Sequence, residues 1–385
     1  MPRVRPPKAP EITVEEFASA VERGEDVGVL DVRAPARVAA GRIECVREDR
    51  FQNVVGSKLL AASDPAAVDL PRDRPVAVVC GHGNSSKAVA AHLGRMGFDV
   101  RSLKGGMAAW MNHVVPRPLD PPSALDTLVQ FDRLGKGSLG YLLVSDGEAL
   151  IIDPPREPEP YLDAARNVGA RVVGVADTHV HADYISGAPR IAESLGVPYH
   201  LHPADAIYPY DGTPGNLSFA SIEDGSAITF GRCSLRVIHT PGHTDGSVTY
   251  VVDEAAAFTG DFIFVRSLGR PDLAGRSGEW TEKLWASVEA ARTEWPKDMV
   301  IYPAHYAAET ERRADRSVGA SLADLLRDNE PLTIPSLDAF RTWVEGHPAS
   351  FPDAYKQIKA VNVGLRQVDE REAEELEVGK NECAV

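Results

Sequence analysis

The stretch that most constrains the fold is an apolar run that ends abruptly in a histidine-rich polar turn. Residues 170–176 contain three valines and two alanines, which predicts a buried strand of a mixed sheet. The turn that follows carries His179, His181 and Asp183. Because a binding crevice opens at the carboxyl ends of the strands in an α/β sheet, these side chains are predicted to line a functional site.

Three further turns of the same kind follow downstream. They are Pro-Gly-His243, Gly-Asp261 and Pro-Ala-His305, and each comes after a β-like segment. Imidazoles and carboxylates that converge from several strand ends are typical of a metal site, whereas a single histidine is more often structural. The four histidines and two aspartates of these turns therefore predict a metal centre rather than a merely hydrogen-bonded cluster.

The length and charge of the chain narrow the class of protein. A chain of 385 residues is longer than one ordinary core needs, so two domains are expected. With 43% hydrophobic and 25% charged residues, the chain has the composition of a globular protein. Its formal net charge of -15 argues against a nucleic-acid partner, because nucleic-acid binding needs a basic surface.

The cysteines and the apolar segments predict the compartment. Cys45, Cys80, Cys233 and Cys383 lie far apart without a C-x-x-C pair, so a reducing environment is expected. No apolar run approaches the ~20 residues that cross a membrane, and the start of the chain lacks the apolar core of a signal peptide. We therefore expect a cytoplasmic protein without a membrane partner, and the sequence leaves a homo-oligomer open.

The first part of the chain is predicted to form a compact α/β unit. Strand, loop and helix alternate at short intervals over residues 11–115, which is typical of this class. Thr13 and Glu16 predict a capping box at the start of the first helix. Residues 75–79 predict a buried strand that runs directly into a glycine-rich loop beginning with Cys80.

Cys80 is predicted to carry an exposed, reactive thiol. Its loop joins the end of a strand to a helix that is expected to start at Lys87, so backbone amides can point at the sulfur and the helix dipole adds positive potential. Both effects lower the pKa of a thiol and favour a thiolate or a persulfide anion. The alternative is a buried structural cysteine, and the glycine-rich loop counts against it.

Three motifs of this unit match those of a known family. They are Leu30-Asp-Val-Arg33, the Cys80 loop and Leu103-Lys-Gly-Gly-Met-Ala-Ala-Trp110. On these motifs residues 11–115 resemble the rhodanese family, sulfurtransferases that carry a sulfane sulfur on a loop cysteine, which implies sulfur transfer at Cys80. The family loop usually ends in Arg-Ser, whereas this chain has Ser85-Ser86 followed by Lys87, which would take the place of the arginine.

A proline-rich segment is predicted to separate this unit from the rest of the chain. Residues 116–123 contain four prolines, which predicts a stiff linker. Over residues 124–330 groups of strands are followed by helices twice, which predicts two sheets flanked by helices. Residues 331–385 are predicted to form a C-terminal helical extension and an acidic tail.

The order of the polar turns in residues 124–330 is that of a known fold. His-x-His-x-Asp, Pro-Gly-His, Gly-Asp and Pro-Ala-His occur in this order and resemble the motifs of the metallo-β-lactamase fold. The resemblance implies an αββα sandwich after an α/β rhodanese-like domain, so the chain combines the α/β and α+β classes. Binuclear hydrolases of the fold, such as glyoxalase II, carry a histidine directly after the first aspartate, where this chain has Tyr184. A phenol is a poor ligand for a hydrolytic ion, so one good metal site is expected.

Within this fold the chain resembles the persulfide dioxygenases, also called sulfur dioxygenases. Besides the ligand motifs it carries their Gly-Arg-x-Asp segment at Gly269-Arg-Pro-Asp272. The resemblance implies one Fe(II) per chain held by His179, His243 and Asp261, with zinc as the alternative metal.

The same resemblance suggests roles for the remaining polar residues. His181 and Asp183 would orient the rings and set the charge around the metal, and Tyr184 would donate a hydrogen bond to a bound sulfur or oxygen. His305 would support the ligands or be structural. Arg270 would bind a substrate carboxylate, or alternatively form an internal ion pair with Asp272.

Two enzymatic functions and one binding function are open on these grounds. The first is an iron-dependent persulfide dioxygenase that oxidises a low-molecular-weight thiol persulfide, such as glutathione persulfide, with O2 to sulfite. Its rhodanese unit would act as a thiosulfate sulfurtransferase that gives or uses thiosulfate. The alternative is a zinc-dependent metallo-hydrolase of the glyoxalase II or thioesterase type with a degenerate rhodanese module. The third is a non-catalytic sulfur relay, which the missing loop arginine leaves open.

Overall fold

The chain forms two compact units in the computed structural model, which describes residues 10–272, 275–347, 351–379, 381 and 383. The first unit ends at His113 and also takes in Arg133–Lys136 and a short segment from Val378. The second unit holds Val114–Asp132, Gly137–Glu377 and the tail from Asn381. The change of unit after His113 lies just before the segment that the sequence predicts as a linker.

The first unit is built on a five-stranded parallel sheet with the strand order β1-β5-β4-β2-β3. Its strands are β1 (Glu11–Ile12), β2 (Gly28–Asp31), β3 (Phe51–Asn53), β4 (Val76–Val79) and β5 (Val100–Leu103). Its helices are α1 (Val14–Glu22), α2 (Pro35–Ala39), α3 (Gly56–Ala61), α4 (Asn84–Arg95) and α5 (Gly106–Asn112). Ala77 and Val79 pack with α1 and α5, whereas Val76 and Val78 pack with α3 and α4. Because both faces of the sheet are covered, its central strand β4 is apolar throughout.

The start of helix α1 agrees with the sequence prediction, whereas helix α4 starts earlier than predicted. The predicted capping box of Thr13 and Glu16 is present at the start of α1. Helix α4 begins at Asn84, one turn before the predicted start at Lys87. The N-terminal amides of α4 therefore begin directly after the glycine-rich loop, closer to Cys80 than the sequence suggested.

The second unit contains two mixed sheets. The seven-stranded sheet has the order β12-β11-β10-β9-β8-β7-β6, and the six-stranded sheet has the order β13-β14-β15-β16-β17-β18. The strands of the first sheet are β6 (Val114–Leu119), β7 (Thr127–Arg133), β8 (Ser138–Ser145), β9 (Glu148–Ile152), β10 (Arg171–Ala176), β11 (Tyr199–Leu201) and β12 (Ala220–Ser221). Those of the second are β13 (Ala227–Phe230), β14 (Cys233–His239), β15 (Val248–Val252), β16 (Ala256–Gly260), β17 (Val300–Pro303) and β18 (Ala320–Ser321).

The second unit also contains helices. They are α6 (Glu159–Asn167), α7 (Ala188–Leu195), α8 (Ser277–Glu294), α9 (Leu322–Asp328), α10 (Leu337–Glu345), α11 (Ala354–Asn362) and α12 (Glu370–Leu376). The inner faces of the sheets share one core, in which Tyr141 and Leu143 meet Leu235 and Phe258. Helices α6 and α7 pack on the outside of the first sheet, and α8, α9 and α10 on the outside of the second. The unit is thus the predicted αββα sandwich.

The segment predicted as a linker has a different structure. Residues 116–119 belong to β6, the edge strand of the seven-stranded sheet, so the prediction of a linker over residues 116–123 is wrong for this part. Proline cannot donate a ladder hydrogen bond, and an edge strand is the place in a sheet where it is tolerated. The four prolines therefore mark an edge strand and the turn after it.

The predicted C-terminal extension packs into the second unit. Phe340 of α10 lies in the same cluster as Leu284 of α8. Ile358 of α11 and Ala373 of α12 cluster with Ile185, which follows the histidine-rich turn. The extension therefore lies against the loop that carries the predicted metal ligands.

Candidate functional site

Three side chains of ligand type converge at strand ends of the second unit. His179 follows β10, His243 follows β14, and Asp261 comes directly after β16. One ligand atom from each lies within 4.8 Å of the others. Asp261 Oδ2 lies 3.6 Å from His179 Nε2 and 3.5 Å from His243 Nε2. Such spacing allows all three atoms to bind one ion at the usual distances of about 2.0–2.2 Å.

The three converging atoms are buried without a hydrogen-bond partner. His179, His243 and Asp261 are at most 2% exposed. Among the described residues, His179 Nε2, His243 Nε2 and Asp261 Oδ2 have no partner. Buried polar atoms are rarely left unsatisfied in native proteins, and one cation would satisfy all three. The residues present therefore fit a metal ion, and their donor set suits ferrous iron as well as zinc.

The second ring nitrogen of each histidine fixes its orientation. His243 Nδ1 donates to the Arg270 carbonyl oxygen at 3.0 Å. His179 Nδ1 lies 3.0 Å from Thr178 Oγ1, which in turn donates to Asp153 Oδ2 at 2.8 Å. Burial lowers the pKa of His243 to about 4 and that of His179 well below its usual value. Both rings are therefore neutral near pH 7 and able to act as ligands.

His305 links the metal group to the aspartate of the first motif. Its Nδ1 lies 2.6 Å from Asp261 Oδ1, and its Nε2 lies 3.1 Å from Asp183 Oδ2. Burial disfavours the charged ring, but the two carboxylates outweigh it and raise the pKa of His305 to about 10. The imidazolium occupies Asp261 Oδ1, which leaves Oδ2 to face the histidine pair.

A second group of ligand type adjoins this one. Ligand atoms of Asp183, His305 and Cys383 also lie within 4.8 Å of one another, and all three residues are buried. The Cys383 carbonyl oxygen accepts a hydrogen bond from Arg270 N at 2.9 Å, which holds the tail in place. Cys383 was not predicted as a site residue, because it follows no strand-and-turn motif.

His181 and Tyr184 form a buried pair beside the metal group. The Tyr184 hydroxyl lies 2.9 Å from His181 Nε2, and the rings stack with centroids 4.2 Å apart. His181 Nε2 also lies 3.2 Å from Asp153 Oδ1. Burial disfavours the charged ring of His181, but Asp153 outweighs it and raises its pKa. The role of Tyr184 as a donor to a bound sulfur stays a prediction.

The segment Gly269–Asp272 packs closely against Asp261 and His243. A Cβ at Gly269 would lie only 1.6 Å from the Asp261 carbonyl oxygen, so a side chain has no room there. Arg270 pairs with Asp272 through Nε–Oδ1 and Nη2–Oδ2 contacts of 3.0 and 2.9 Å, and Nη2 also donates to the His347 carbonyl oxygen. Its guanidinium therefore makes the internal ion pair that the sequence allowed as the alternative.

Two buried polar residues that the sequence analysis missed hold the ligand loops. Asp205 accepts hydrogen bonds from Val180 N, Thr244 Oγ1 and Gly246 N at 2.7–2.9 Å, which ties together the loops that follow β10 and β14. Asn362 Nδ2 donates to the carbonyl oxygens of His181 and Tyr184. Neither residue stands in a recognisable motif.

Cys80 lies between β4 and α4 in the first unit and is only 5% exposed. The prediction of an exposed thiol is therefore wrong, because the side chain packs into the cluster of Val78 and Val89. Cys80 Sγ lies 3.3 Å from Ser86 Oγ, which is 2.8 Å from Ser102 Oγ. Burial raises the pKa of the thiol, but the Ser86 hydroxyl and the amides of Ser86, Gly83 and His82 outweigh burial and lower it. Gly106 has φ +62° and approaches the loop so closely that a Cβ there would lie 2.3 Å from the Cys80 carbonyl oxygen.

Lys87, which the sequence suggested as a replacement for the loop arginine, forms an ion pair. Its Nζ is 2.9 Å from Glu11 Oε1, and its side chain is about half exposed. Lys87 thus pairs with a carboxylate, and its substitution for the loop arginine of the family stays a prediction.

Ser86→Ala is expected to raise the pKa of Cys80, because it removes the hydroxyl nearest to the sulfur. A pH titration of the thiolate ultraviolet absorbance, and of the rate of alkylation by iodoacetamide, should show the midpoint moving to higher pH. Near pH 7 alkylation should slow several-fold. Ser85→Ala is the matched control. An unchanged midpoint in Ser86→Ala would mean that the loop amides alone set the acidity.

Two family models match separate parts of the chain. The model described as "Metallo-beta-lactamase superfamily" matches residues 135–320, and that described as "Rhodanese-like domain" matches residues 13–113. Both matches confirm the resemblances drawn from the motifs. None of the helices that the structure describes is long and apolar enough to span a membrane.

Curated relatives match part of the chain. Bovine (Bos taurus) mitochondrial persulfide dioxygenase ETHE1 is 31% identical over 201 residues, which are 49% of this chain and 73% of that protein. The human (Homo sapiens) protein of the same name is 36% identical over 162 residues, 41% of this chain and 59% of that protein.

Solved structures share the fold of the second unit. A metallo-beta-lactamase from Staphylococcus aureus has a TM-score of 0.56 and 28% identity, covering 63% of this chain and 74% of that one. ETHE1 from Myxococcus xanthus has a TM-score of 0.51 and 22% identity, covering 65% and 98%, which supports the fold alone. From these matches, the chain belongs to the metallo-beta-lactamase superfamily, as a relative of persulfide dioxygenase ETHE1 that carries a rhodanese-like domain at its N-terminal side.

Proposed function

We propose that the second unit is an iron-dependent persulfide dioxygenase. One thiol persulfide, one O2 and one water would give the thiol, sulfite and two protons, with the terminal sulfur oxidised and O2 reduced. The observation that carries the proposal is the meeting of His179 Nε2, His243 Nε2 and Asp261 Oδ2, buried and without other partners among the described residues. Two imidazoles and one carboxylate are the donor set of non-haem Fe(II) oxygenases. The names of the ETHE1 relatives support the same assignment.

The residues around the three ligands would set orientation, charge and proton supply. A ferrous ion at this site would supply the redox chemistry with O2 that zinc lacks. The Arg270 carbonyl oxygen holds the ring of His243, and Thr178 holds that of His179. The His305 imidazolium balances the carboxylates of Asp261 and Asp183 and keeps a proton beside the site.

We infer that Cys80 of the rhodanese-like unit carries a sulfane sulfur. Sulfite would attack the outer sulfur of the Cys80 persulfide, so that the S–S bond of thiosulfate forms while the bond to Cys80 breaks and a thiolate leaves. The reverse reaction would load Cys80 from thiosulfate. The lowered pKa of Cys80 supports this role, because the thiolate is both the nucleophile and the leaving group.

We assign this chemistry to the cytoplasm. No disulfide joins the described cysteines, and unbridged thiols are typical of a reducing compartment. The proposed division of labour follows the predicted domains, with sulfur transfer in residues 11–115 and oxidation in residues 124–330. The helices after residue 330 would complete the wall of the oxidation site.

The second candidate function is a zinc hydrolase of the glyoxalase II or thioesterase type. The group formed by Asp183, His305 and Cys383 favours it, because these residue types could hold a second ion. Tyr184 opposes it. If a second ion is bound there, Cys383→Ser should lower the zinc content of the zinc-loaded protein by about half and reduce thioester turnover. Zinc content equal to that of the wild type would remove this support.

Metal analysis with O2 uptake is the direct test of the main proposal. Protein purified without oxygen is expected to contain about one iron per chain. It should consume O2 and release sulfite when glutathione persulfide is added. Chelation should abolish uptake, and Fe(II) but not zinc should restore it. About two zinc ions per chain, with thioester hydrolysis and no O2 uptake, would contradict the proposal.

A further inference from the structure

A cavity of about 630 Å³ lies beside the metal group in the second unit. Its wall includes Val180 and Thr244, the chain neighbours of His179 and His243. The volume is in the range of small-molecule sites. The rest of the wall comes mainly from residues 204–212 and from helices α8 and α11, whereas His179, His243 and Asp261 are not among its lining residues.

Lys359 of α11 contributes a buried ammonium group to this wall. The residue is 1% exposed, and its Nζ donates to the Val180 carbonyl oxygen at 3.0 Å. It has no ion pair with a carboxylate in the described part of the chain. The carboxylates of Asp205, Asp261 and Asp183 stabilise its charge from a longer distance. An ammonium group has three N–H donors, and the backbone carbonyl of Val180 uses only one of them among the described residues.

Trp280 of α8 contributes a second buried donor to the same wall. It is 1% exposed and lines the cavity. Its indole N–H has no acceptor among the residues that the structure describes. Because the indole nitrogen can only donate, the group that would satisfy it must be an acceptor.

The acidic residues of the wall are already engaged. Asp205 accepts three hydrogen bonds from the ligand loops. Asp245 accepts from Lys283 Nζ at 2.6 Å and from Arg276 Nη1 at 2.7 Å. Asp211 accepts from Thr213 N at the exposed rim. The buried groups of this wall that can still form hydrogen bonds are therefore donors, namely Lys359 Nζ and Trp280 Nε1. Two such donors fit an anion.

We propose that this cavity binds the anionic end of the thiol substrate, with Lys359 Nζ and Trp280 Nε1 donating to its carboxylate or phosphate oxygens. The identity of the ligand as a thiol rests on the proposed function, whereas the binding of an anion rests on the cavity alone. The anion would accept hydrogen bonds from the N–H groups of Lys359 and Trp280 that have no other acceptor among the described residues. Arg270, which the sequence suggested for this task, is engaged with Asp272.

A purely structural lysine would behave differently on substitution. Lys359→Met removes the ammonium group and leaves the buried Val180 carbonyl oxygen without its donor. This costs about 1–3 kcal/mol, so a lower melting temperature is expected for either role of the lysine. If Lys359 serves a ligand, the variant should also lose affinity for that ligand. If it serves only as an anchor of α11, the variant should melt lower and bind ligands as before.

The test is a calorimetric titration of the full-length, metal-loaded protein with glutathione and with coenzyme A, which present carboxylates and phosphates respectively. Wild type is expected to bind at least one of the two probes. Lys359→Met should weaken this binding by about tenfold or more, the scale of a hydrogen bond to a charged group. Lys359→Arg should retain much of it, and Trp280→Phe should weaken it by a smaller factor.

Two controls make the result specific. Lys356→Met changes an exposed lysine on the same helix and should bind the probe as the wild type does. If glutathione is the probe that binds, its dimethyl ester should bind weakly and equally to wild type and Lys359→Met, because the anion is then absent.

Three outcomes would overturn the proposal. They are wild type that binds neither probe, Lys359→Met that binds the probe as tightly as wild type, and a loss in Lys359→Met that is matched by Lys356→Met. O2 uptake is scored separately. A protein without dioxygenase activity that still needs Lys359 for binding would refute the proposed function alone, and an active dioxygenase with Lys359-independent binding would refute this inference alone.

Discussion

His243→Ala is expected to leave a folded protein that loses its iron and its O2 uptake with a thiol persulfide. His243 Nε2 is one of the three converging ligand atoms, and nothing else among the described residues partners it. Residues that merely orient ligands are each worth about 10–100-fold in metal affinity or activity, so removal of a ligand itself should exceed a loss of about a hundredfold. Metal analysis and an oxygen electrode measure the two effects.

The fold should survive this substitution, although it will be less stable. The change leaves the Arg270 carbonyl oxygen without its donor, at a cost of about 1–3 kcal/mol. His200→Ala is the matched control, because His200 lies on β11 outside the metal group and should retain both iron and activity. Iron content and uptake equal to those of the wild type in His243→Ala would refute the ligand assignment.

Cys80→Ser is expected to abolish sulfur transfer from thiosulfate to cyanide while O2 uptake with a thiol persulfide continues. The serine hydroxyl remains protonated near pH 7 and cannot carry a sulfane sulfur, whereas the surroundings of Cys80 favour the thiolate. The substitution is small, and the neighbouring Ser86 hydroxyl can still pair with the new group. The transfer assay and the oxygen electrode, run on the same preparation, separate the two activities.

Cys45→Ser provides the comparison for this result. Cys45 lies in the same unit, half-buried and outside the loop between β4 and α4, so its replacement should leave transfer unchanged. Transfer that persists in Cys80→Ser would show that Cys80 is not the sulfur carrier. Loss of both activities in Cys80→Ser would instead contradict the assignment of oxidation to the second unit.

Most of the elements that position the site could be predicted from the sequence. The main wrong prediction was the linker after His113. Strands ending in polar turns at His179, His243 and Asp261 were visible because strand periodicity and turn residues are local in the chain. The prolines after His113 were interpreted as a linker, although β6 occupies part of this segment. Local composition cannot distinguish an edge strand from a linker, since both lack central ladder hydrogen bonds.

By itself, the sequence determined the two folds, the residue types of the candidate metal centre and the cysteine of the rhodanese-like loop. Each of these depends on a short motif whose residues are neighbours in the chain. Only the tertiary structure decided that His305 holds one oxygen of Asp261 and leaves the other facing the histidines, and that Arg270 is engaged with Asp272. It also brought Lys359 to Val180, 179 residues away in sequence. Such contacts depend on how distant helices pack and on which buried groups find partners, and residue type alone does not encode either.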